Sequence, residues 1–287
     1  VKLLIIARPF VFHGGVERAT TGLVHALVEH GYEVHLGTPA GQQTIPGVVL
    51  HRLPVPPLSA TGRALALAGA ARLLAGRGWD VVQSHERTLG QDIYRAGEGC
   101  HRGYVLTRGP SRGRRLYHRV VLALERRVFA RTPRIVAISA AGQREIETLY
   151  DVKPSRISVI YNGVDLRRFH PSNRRTLRDV ARAEASLAAD AWTALFVGSG
   201  FERKGLGTAI EAMALLGDRK SRLVVIGKGD VAPYQALAAR HGIGEQIVWL
   251  GPRADVERWY AAADVCVLPS RYEPFGNVHL EALASGL

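Results

Sequence analysis

The sequence predicts two doubly wound α/β domains in tandem. Three observations carry this: short apolar runs alternate with helical patterns, several runs end on glycine, and 287 residues suit two α/β domains of ordinary size. A parallel strand covered on both faces is apolar throughout, which produces runs rather than alternation. Glycine at strand carboxyl ends fits a sheet edge that meets a ligand.

In order along the chain, Lys2–Ala7 is a buried-type strand followed by a loop holding Gly14 and Gly15. Val16–His30 reads as a helix with Leu23, Val24, Leu27 and Val28 on one face, and Gly31 ends it. Glu33–Gly37 is the next strand; others are expected over Val48–Leu53, Asp80–Gln83, Arg134–Ile138 and Ser158–Ile160. Ser139 caps a helix over Ala140–Tyr150. After Arg167-Arg-Phe-His-Pro and a polar helical stretch, strands are expected at Ala194–Gly198, Arg222–Gly227, Gln246–Gly251 and Asp264–Pro269. The expected division is a first domain over 1–167, a helical connection over 168–190 and a second domain over 191–287. The second is read as incomplete, because the sequence stops after a helix where a parallel sheet would add a strand.

Hydrophobic content of 47% with 22% charged residues supports packed cores rather than disorder. The net charge of +13 is carried mostly by arginine, either from genome composition or because the surface meets phosphates. Aromatic content of 7% and the lack of a recognition-helix or RNA-binding motif exclude a nucleic-acid partner. Cys100 and Cys266 match no metal or redox spacing, and Cys266 sits in an apolar run as a small hydrophobe. No leader pattern opens the chain. The most apolar stretch, Ala64–Ala75, falls short of the ~18 residues of a membrane span. A soluble protein in a reducing compartment is expected.

Three segments carry candidate chemistry. Gly14 and Gly15, between the first strand and its helix, let the backbone approach an anion, or simply form a tight turn. The segment lacks the full G-x-G-x-x-G pattern of nicotinamide and flavin enzymes. Arg203 and Lys204 follow a strand end and can hold a diphosphate, one as a fork and one as a point charge, or form a solvated loop pair. Glu273 and Glu281 flank a loop-to-helix turn at Gly276. Carboxylates there accept from sugar hydroxyls, and the N–H groups of Phe275, Gly276 and Asn277 suit sugar-phosphate oxygens.

These segments, in this order, resemble glycosyltransferase family four: a glycine pair, V-G-x-x-x-x-R-K-G, and E-x7-E with a following E-A-x-A-x-G. Within the family the likeness is to the lipopolysaccharide core α-1,3-glucosyltransferases, through Val197–Gly205, Asp92–Cys100 and Gly251–Val256. The resemblance implies the GT-B fold, two Rossmann-like domains facing across a cleft. It also implies retaining, metal-independent transfer from a UDP-hexose with no other cofactor. By position, Gly14 and Gly15 would lie beside the diphosphate, and Arg203 and Lys204 would neutralise the leaving group. Glu273 would hold the donor sugar, Glu281 the ribose, and Arg253 would lie near the base. His85, Arg18 and Asp92 would lie on the acceptor side. The lipopolysaccharide enzymes it resembles carry an acidic residue after the first-loop arginine; here that position is Ala19, so acceptor contacts at that point are expected to differ.

Ten arginines and one acidic residue lie between Arg102 and Arg134. Tyr117, Val120, Val121, Leu124 and Val128 follow helical spacing, with Arg119, Arg126 and Arg127 around them. The pattern fits an amphipathic segment on an anionic lipid surface, or a core-packing helix with a solvated face. The same region of the lipopolysaccharide core glucosyltransferases that the sequence resembles is their membrane-associating part, which favours the first. Arg112, Arg114 and Arg115 sit in or beside a glycine-containing loop suited to acceptor phosphates. The expectation is therefore a hexosyltransferase acting on an anionic glycan or glycolipid at the cytoplasmic membrane face. Alternatives are a phosphatidylinositol-type mannosyltransferase using GDP-mannose, or a shortened fragment that binds UDP-sugar without turnover.

Overall fold

A computed structural model describes residues 1–10, 15–109 and 115–287. The chain divides into two units, Val1–Asn162 and Gly163–Leu287.

The first unit carries β1 (Lys2–Ile6), α1 (Gly15–Glu29), β2 (Glu33–Thr38), β3 (Val48–Arg52), α2 (Ala60–Ala75) and β4 (Val81–Ser84). β5 (Ile93–Ala96), α3 (His101–Arg108), α4 (Arg115–Arg131), β6 (Arg134–Ala137), α5 (Ala140–Tyr150) and β7 (Ile157–Val159) follow. The strands form one parallel sheet in the order β3-β2-β1-β4-β5-β6-β7. The chain runs outward from β1 in one direction and then restarts at β4 in the other. The reversal opens a crevice at the carboxyl ends of β1 and β4, where sheets of this type bind ligands. Ile5, Ala7, Val34 and Leu36 pack with Val24 of α1 on one face. Leu4, Ile6 and Val82 pack with Ala71 and Leu74 of α2 on the other. Ser59 and Ser139 cap α2 and α5, each accepting from the N–H three residues on, at 3.2 and 2.9 Å.

The apolar stripe of α4 settles its own two readings. Val121, Leu124, Val128 and Phe129 are buried, the last two with Tyr94, Ile135 and Ile146 in one core cluster. The core therefore takes the stripe that a lipid surface would need. Arg115, Leu116, Arg119, Arg126 and Arg127 form the exposed side.

The second unit carries α6 (Asn173–Glu184), β8 (Thr193–Val197), α7 (Phe201–Lys204), α8 (Leu206–Leu216), β9 (Arg222–Ile226) and α9 (Ala232–Arg240). It ends with β10 (Ile247–Gly251), α10 (Val256–Ala262), β11 (Val265–Cys266) and α11 (Asn277–Ala284). Its parallel sheet has the order β10-β9-β8-β11, so here the reversal lies between β8 and β11.

The segment expected as a connection over 168–190 belongs instead to this unit. Arg174 and Arg178 each place Nη2 2.8 Å from Asp264 Oδ1. Arg178 and Arg182 donate to the Ala262 carbonyl at 3.0 and 2.9 Å. Arginines of a polar helix thus supply the donors that the carboxyl end of α10 lacks. Among the described residues no helix is long and apolar enough to cross a membrane.

Candidate functional site

The loops after β8 and β11, the two strands at the reversal of the second sheet, bring Arg203, Lys204 and Glu273 together. The first loop turns on glycine. Gly198 donates its N–H to the Ile226 carbonyl at 2.8 Å, and Ser199 Oγ accepts the Lys228 N–H at 3.1 Å. A Cβ on Gly227 would stand 2.1 Å from the Gly198 carbonyl oxygen, so the ends of β8 and β9 pack backbone to backbone. α7, α8 and α11 each start from a left-handed glycine with no side-chain cap, unlike α2 and α5. Such starts present backbone N–H groups and the positive helix end to an anion.

Lys204 is 8% exposed and donates from Nζ to Glu273 Oε2. Burial pulls the ammonium below its ordinary pKa, and Glu273 opposes that by favouring the charged form. Arg203 Nη1 donates to the Tyr272 carbonyl at 3.0 Å and lies 3.7 Å from Glu273 Oε2. Ser270 Oγ donates to the same oxygen at 3.4 Å. The Arg271 N–H on the Arg203 carbonyl at 2.9 Å ties the two loops together. Glu281, on α11, is buried and accepts from Tyr260 Oη at 3.0 Å. Gly276 opens α11 at φ 85°, with Phe275 and Asn277 on either side of it. The sequence pointed to the charged groups, but not to Ser270 and Tyr260, whose hydroxyls orient them; nothing in the spacing marks either.

Gly205 makes this corner possible. At φ +78° its missing Cβ would fall 2.0 Å from the Pro269 carbonyl oxygen. Gly205→Ala is expected to destabilise the second unit by roughly 2–4 kcal/mol, combining left-handed backbone strain with overpacking. Gly217→Ala, at φ +70° with nothing within 4 Å, should lose only the strain part, about 1–2 kcal/mol. Thermal unfolding of the two variants measures the difference.

Arg253, expected near the base, has its guanidinium engaged within the unit. Its Nε and Nη2 fork onto Asp255 at 2.9 and 2.8 Å, and Nη2 also reaches Glu184 at 2.9 Å. The guanidinium lies over Trp259, 5.3 Å from the ring centroid. The bonds from Arg253 hold the Asp255 carboxyl down at about 2. Arg253 therefore joins α6 to the start of α10.

In the first unit, charged groups gather at the carboxyl ends of β1, β4 and β5. Arg8 forks onto Glu86 at 2.8 and 3.1 Å and reaches Glu98 at 2.8 Å. Arg87 bridges Glu98 at 3.0 Å and the fully buried Glu125 at 2.7 Å. Burial raises the Glu98 carboxyl, but Arg8 and Arg87 outweigh it and hold the group below the usual range. Glu125 also accepts the N–H groups of His101 and Arg102 at 2.7 and 3.1 Å, so α4 caps α3. The sequence reading missed this network because β5 was not recognised as a strand.

His85 follows β4 and is 3% exposed, inside the unit rather than on an open acceptor surface. Asp92 precedes β5 and accepts the Val82 N–H at 2.8 Å. That places it at the amino end of the sheet, opposite the ligand edge, where it fastens β4 to β5. Gly14, Arg112 and Arg114 lie outside the described residues, as does the side chain of Arg18; Gly15 begins α1. Arg115, Arg119, Arg126 and Arg127 are exposed along α4. Cys100 is buried and Cys266 half-buried; burial pushes the Cys100 thiol up and that of Cys266 to about 12.

Comparison with known proteins finds separate matches for the two halves of the chain. Residues 13–168 match Glycosyltransferase Family 4, and residues 191–287 match Glycosyl transferases group 1. D-inositol 3-phosphate glycosyltransferase 1 of Catenulispora acidiphila is 30% identical, over 95% of this chain and 73% of its own length. Lipopolysaccharide glucosyltransferase WaaG of Escherichia coli K12 is 26% identical, over 96% of this chain and 75% of its own. A crystal structure of WaaG superposes with a TM-score of 0.88 at 23% identity, covering 99% of this chain and 79% of that one. HepE of Anabaena, solved with UDP and glucose, gives 0.72 at 18% identity over 99% and 78% of the two chains. The fold is that of the GT-B glycosyltransferases, and the chain belongs to glycosyltransferase family four.

Proposed function

We propose that the protein is a retaining hexosyltransferase that moves a sugar from a UDP-hexose to an anionic glycan or glycolipid in cell-envelope synthesis, the lipopolysaccharide core being the leading candidate. The observation that carries this reading is the Arg203–Lys204–Glu273 cluster at the reversal of the second sheet. Two cations meet the charge that builds on the leaving diphosphate, so the step needs no metal ion and no other cofactor. Such preorganised charge is worth about 10²–10³-fold per donor group. Glu273 keeps Lys204 charged until the donor arrives and then accepts from sugar hydroxyls. Glu281, oriented by Tyr260, takes the ribose, and the N–H groups around Phe275, Gly276 and Asn277 take the sugar-phosphate oxygens. The leaving phosphate itself receives the acceptor proton. HepE, which shares the fold, binds UDP-glucose, and this supports the choice of nucleotide.

The exposed arginines of α4, with Leu106 and Leu116 also exposed, suit a peripheral position on the anionic cytoplasmic face of the membrane. A second reading is a phosphatidylinositol-type mannosyltransferase using GDP-mannose; the inositol 3-phosphate glycosyltransferase relative supports an inositol-containing acceptor and says nothing of the donor. A panel of UDP-glucose, UDP-galactose, UDP-N-acetylglucosamine and GDP-mannose, scored by release of the nucleoside diphosphate, decides between them. Release from a UDP-hexose is expected; release from GDP-mannose alone would overturn the donor assignment.

A further inference from the structure

We propose that Arg95, within the first unit, is a specificity residue for the acceptor, its guanidinium taking a phosphate group carried by the acceptor sugar. This rests on the reading above that the acceptor is anionic.

β5, β6 and β7 bury one face with α4 and α5, through Tyr94, Ala96, Ile135, Ala137 and Ile157. Strand alternation puts Arg95 on the other face, with Val136 and Ser158 beside it in register. Val136 is half-buried and Ser158 exposed, so this face is partly open. Arg95 stands one residue from the carboxyl end of β5, on the edge where sheets of this type take ligands.

Arg95 is 9% exposed, yet nothing in the fold offsets its charge. Other buried arginines are answered: Arg87 has Glu98 and Glu125, and Arg182 has the carbonyls of Ala262, Ala188 and Ala191. Among the described residues Arg95 has no carboxylate partner. Its Nη2 donates to Asn162 Oδ1, and its buried Nη1 has no hydrogen bond. His85 does not supply one. Its Nδ1 lies 2.8 Å from Thr20 Oγ1 and its Nε2 2.7 Å from the Gln83 amide nitrogen, so both ring nitrogens are engaged. Burial, helped by Arg95, holds that ring down at about 3, and it carries no charge at neutral pH. Burial likewise pulls the Arg95 guanidinium below its ordinary range. A buried cation without a counter-charge is costly, and an apolar side chain would fill the place at less cost. Buried charged groups left unpaired at a ligand edge mark functional sites. A phosphate supplies what is missing, a negative charge and acceptor oxygens for Nη1, in one of the stronger kinds of hydrogen bond.

The test is calorimetric titration of glucose 6-phosphate, inorganic phosphate and glucose into the unaltered protein, Arg95→Met and Asn162→Asp, with and without excess UDP. Melting temperatures are measured alongside. Glucose 6-phosphate should bind the unaltered protein more tightly than inorganic phosphate or glucose. Arg95→Met should lose about ten- to hundredfold of that affinity, as on removing a hydrogen bond to a charged group. Its melting temperature should hold or rise, because an uncompensated charge has gone; an arginine kept for structure would lower it on removal. Asn162→Asp, which brings a carboxylate to Nη2, should also weaken binding, and it carries the test if Arg95→Met does not fold. No binding of glucose 6-phosphate by the unaltered protein, or equal affinity in the folded variants, overturns the proposal. Inorganic phosphate bound as tightly as the ester overturns the acceptor assignment. An equal loss of UDP affinity in Arg95→Met would show a general change in the chain and overturn it too. A protein that binds glucose 6-phosphate through Arg95 but binds no UDP keeps this proposal and removes the donor-site reading.

Discussion

Lys204→Met is expected to lower donor turnover by about 10²–10³-fold, the loss typical of removing one preorganised group from a developing charge. Methionine keeps the length and the apolar stem of lysine but gives Glu273 no donor. Glu273 would retain Ser270 at 3.4 Å and Arg203 at 3.7 Å, so part of its charge stays compensated. A drop in stability could mimic a catalytic loss, since breaking one side of a largely buried pair leaves a charge uncompensated. The double variant Lys204→Met/Glu273→Gln separates the two effects. It should recover melting temperature relative to the single variant and remain inactive. Initial rates and melting curves on the three proteins are sufficient; a single variant with near-normal turnover would remove Lys204 from the mechanism.

Glu125→Gln should produce the largest loss of stability. Its carboxylate accepts from Arg87 and the His101 N–H on one oxygen, and from the Arg102 N–H and Tyr150 Oη on the other. A glutamine NH₂ on the first side meets two donors and no acceptor; on the other it clashes with the Arg102 N–H and only Tyr150 Oη can turn to accept from it. Removing one partner from a buried ion pair costs about 3–5 kcal/mol. For a unit of this size that lowers the melting temperature by roughly 6–20 °C. Arg87 keeps Glu98 at 3.0 Å, which makes the lower half of that range the better expectation. Scanning calorimetry checks it, and a shift below 2 °C would show that the network is not what holds α3 to α4.

The strands were readable where burial makes them long apolar runs, as in β1, β8, β9 and β10. β5 was not, because it has four residues and one is Arg95, a residue that reads as surface until Asn162 is seen to accept from it. Most of α2 was weighed only as a membrane span, over Ala64–Ala75, its alanine-rich composition giving little helical amphipathy to read. The α4 pattern announced an apolar face correctly, but periodicity cannot say what covers a face, and here the core does. Arg253 and the α6 arginines show the same gap for charge. A guanidinium free to meet a ligand and one engaged by Glu184, Asp255 or Asp264 are identical in sequence. Motif order led to Arg203, Lys204, Glu273 and Glu281. It misplaced Asp92 because a short segment does not reveal which end of its strand faces the ligand.

The most direct test of the donor site is calorimetric titration of UDP into the unaltered protein, Lys204→Met and Glu281→Gln. Micromolar binding that each substitution weakens about tenfold or more is predicted, since both remove a charged partner of a buried site. A folded protein that binds no UDP, or binds it equally well with both side chains altered, would contradict the assignment of the nucleotide to the β8–β11 reversal.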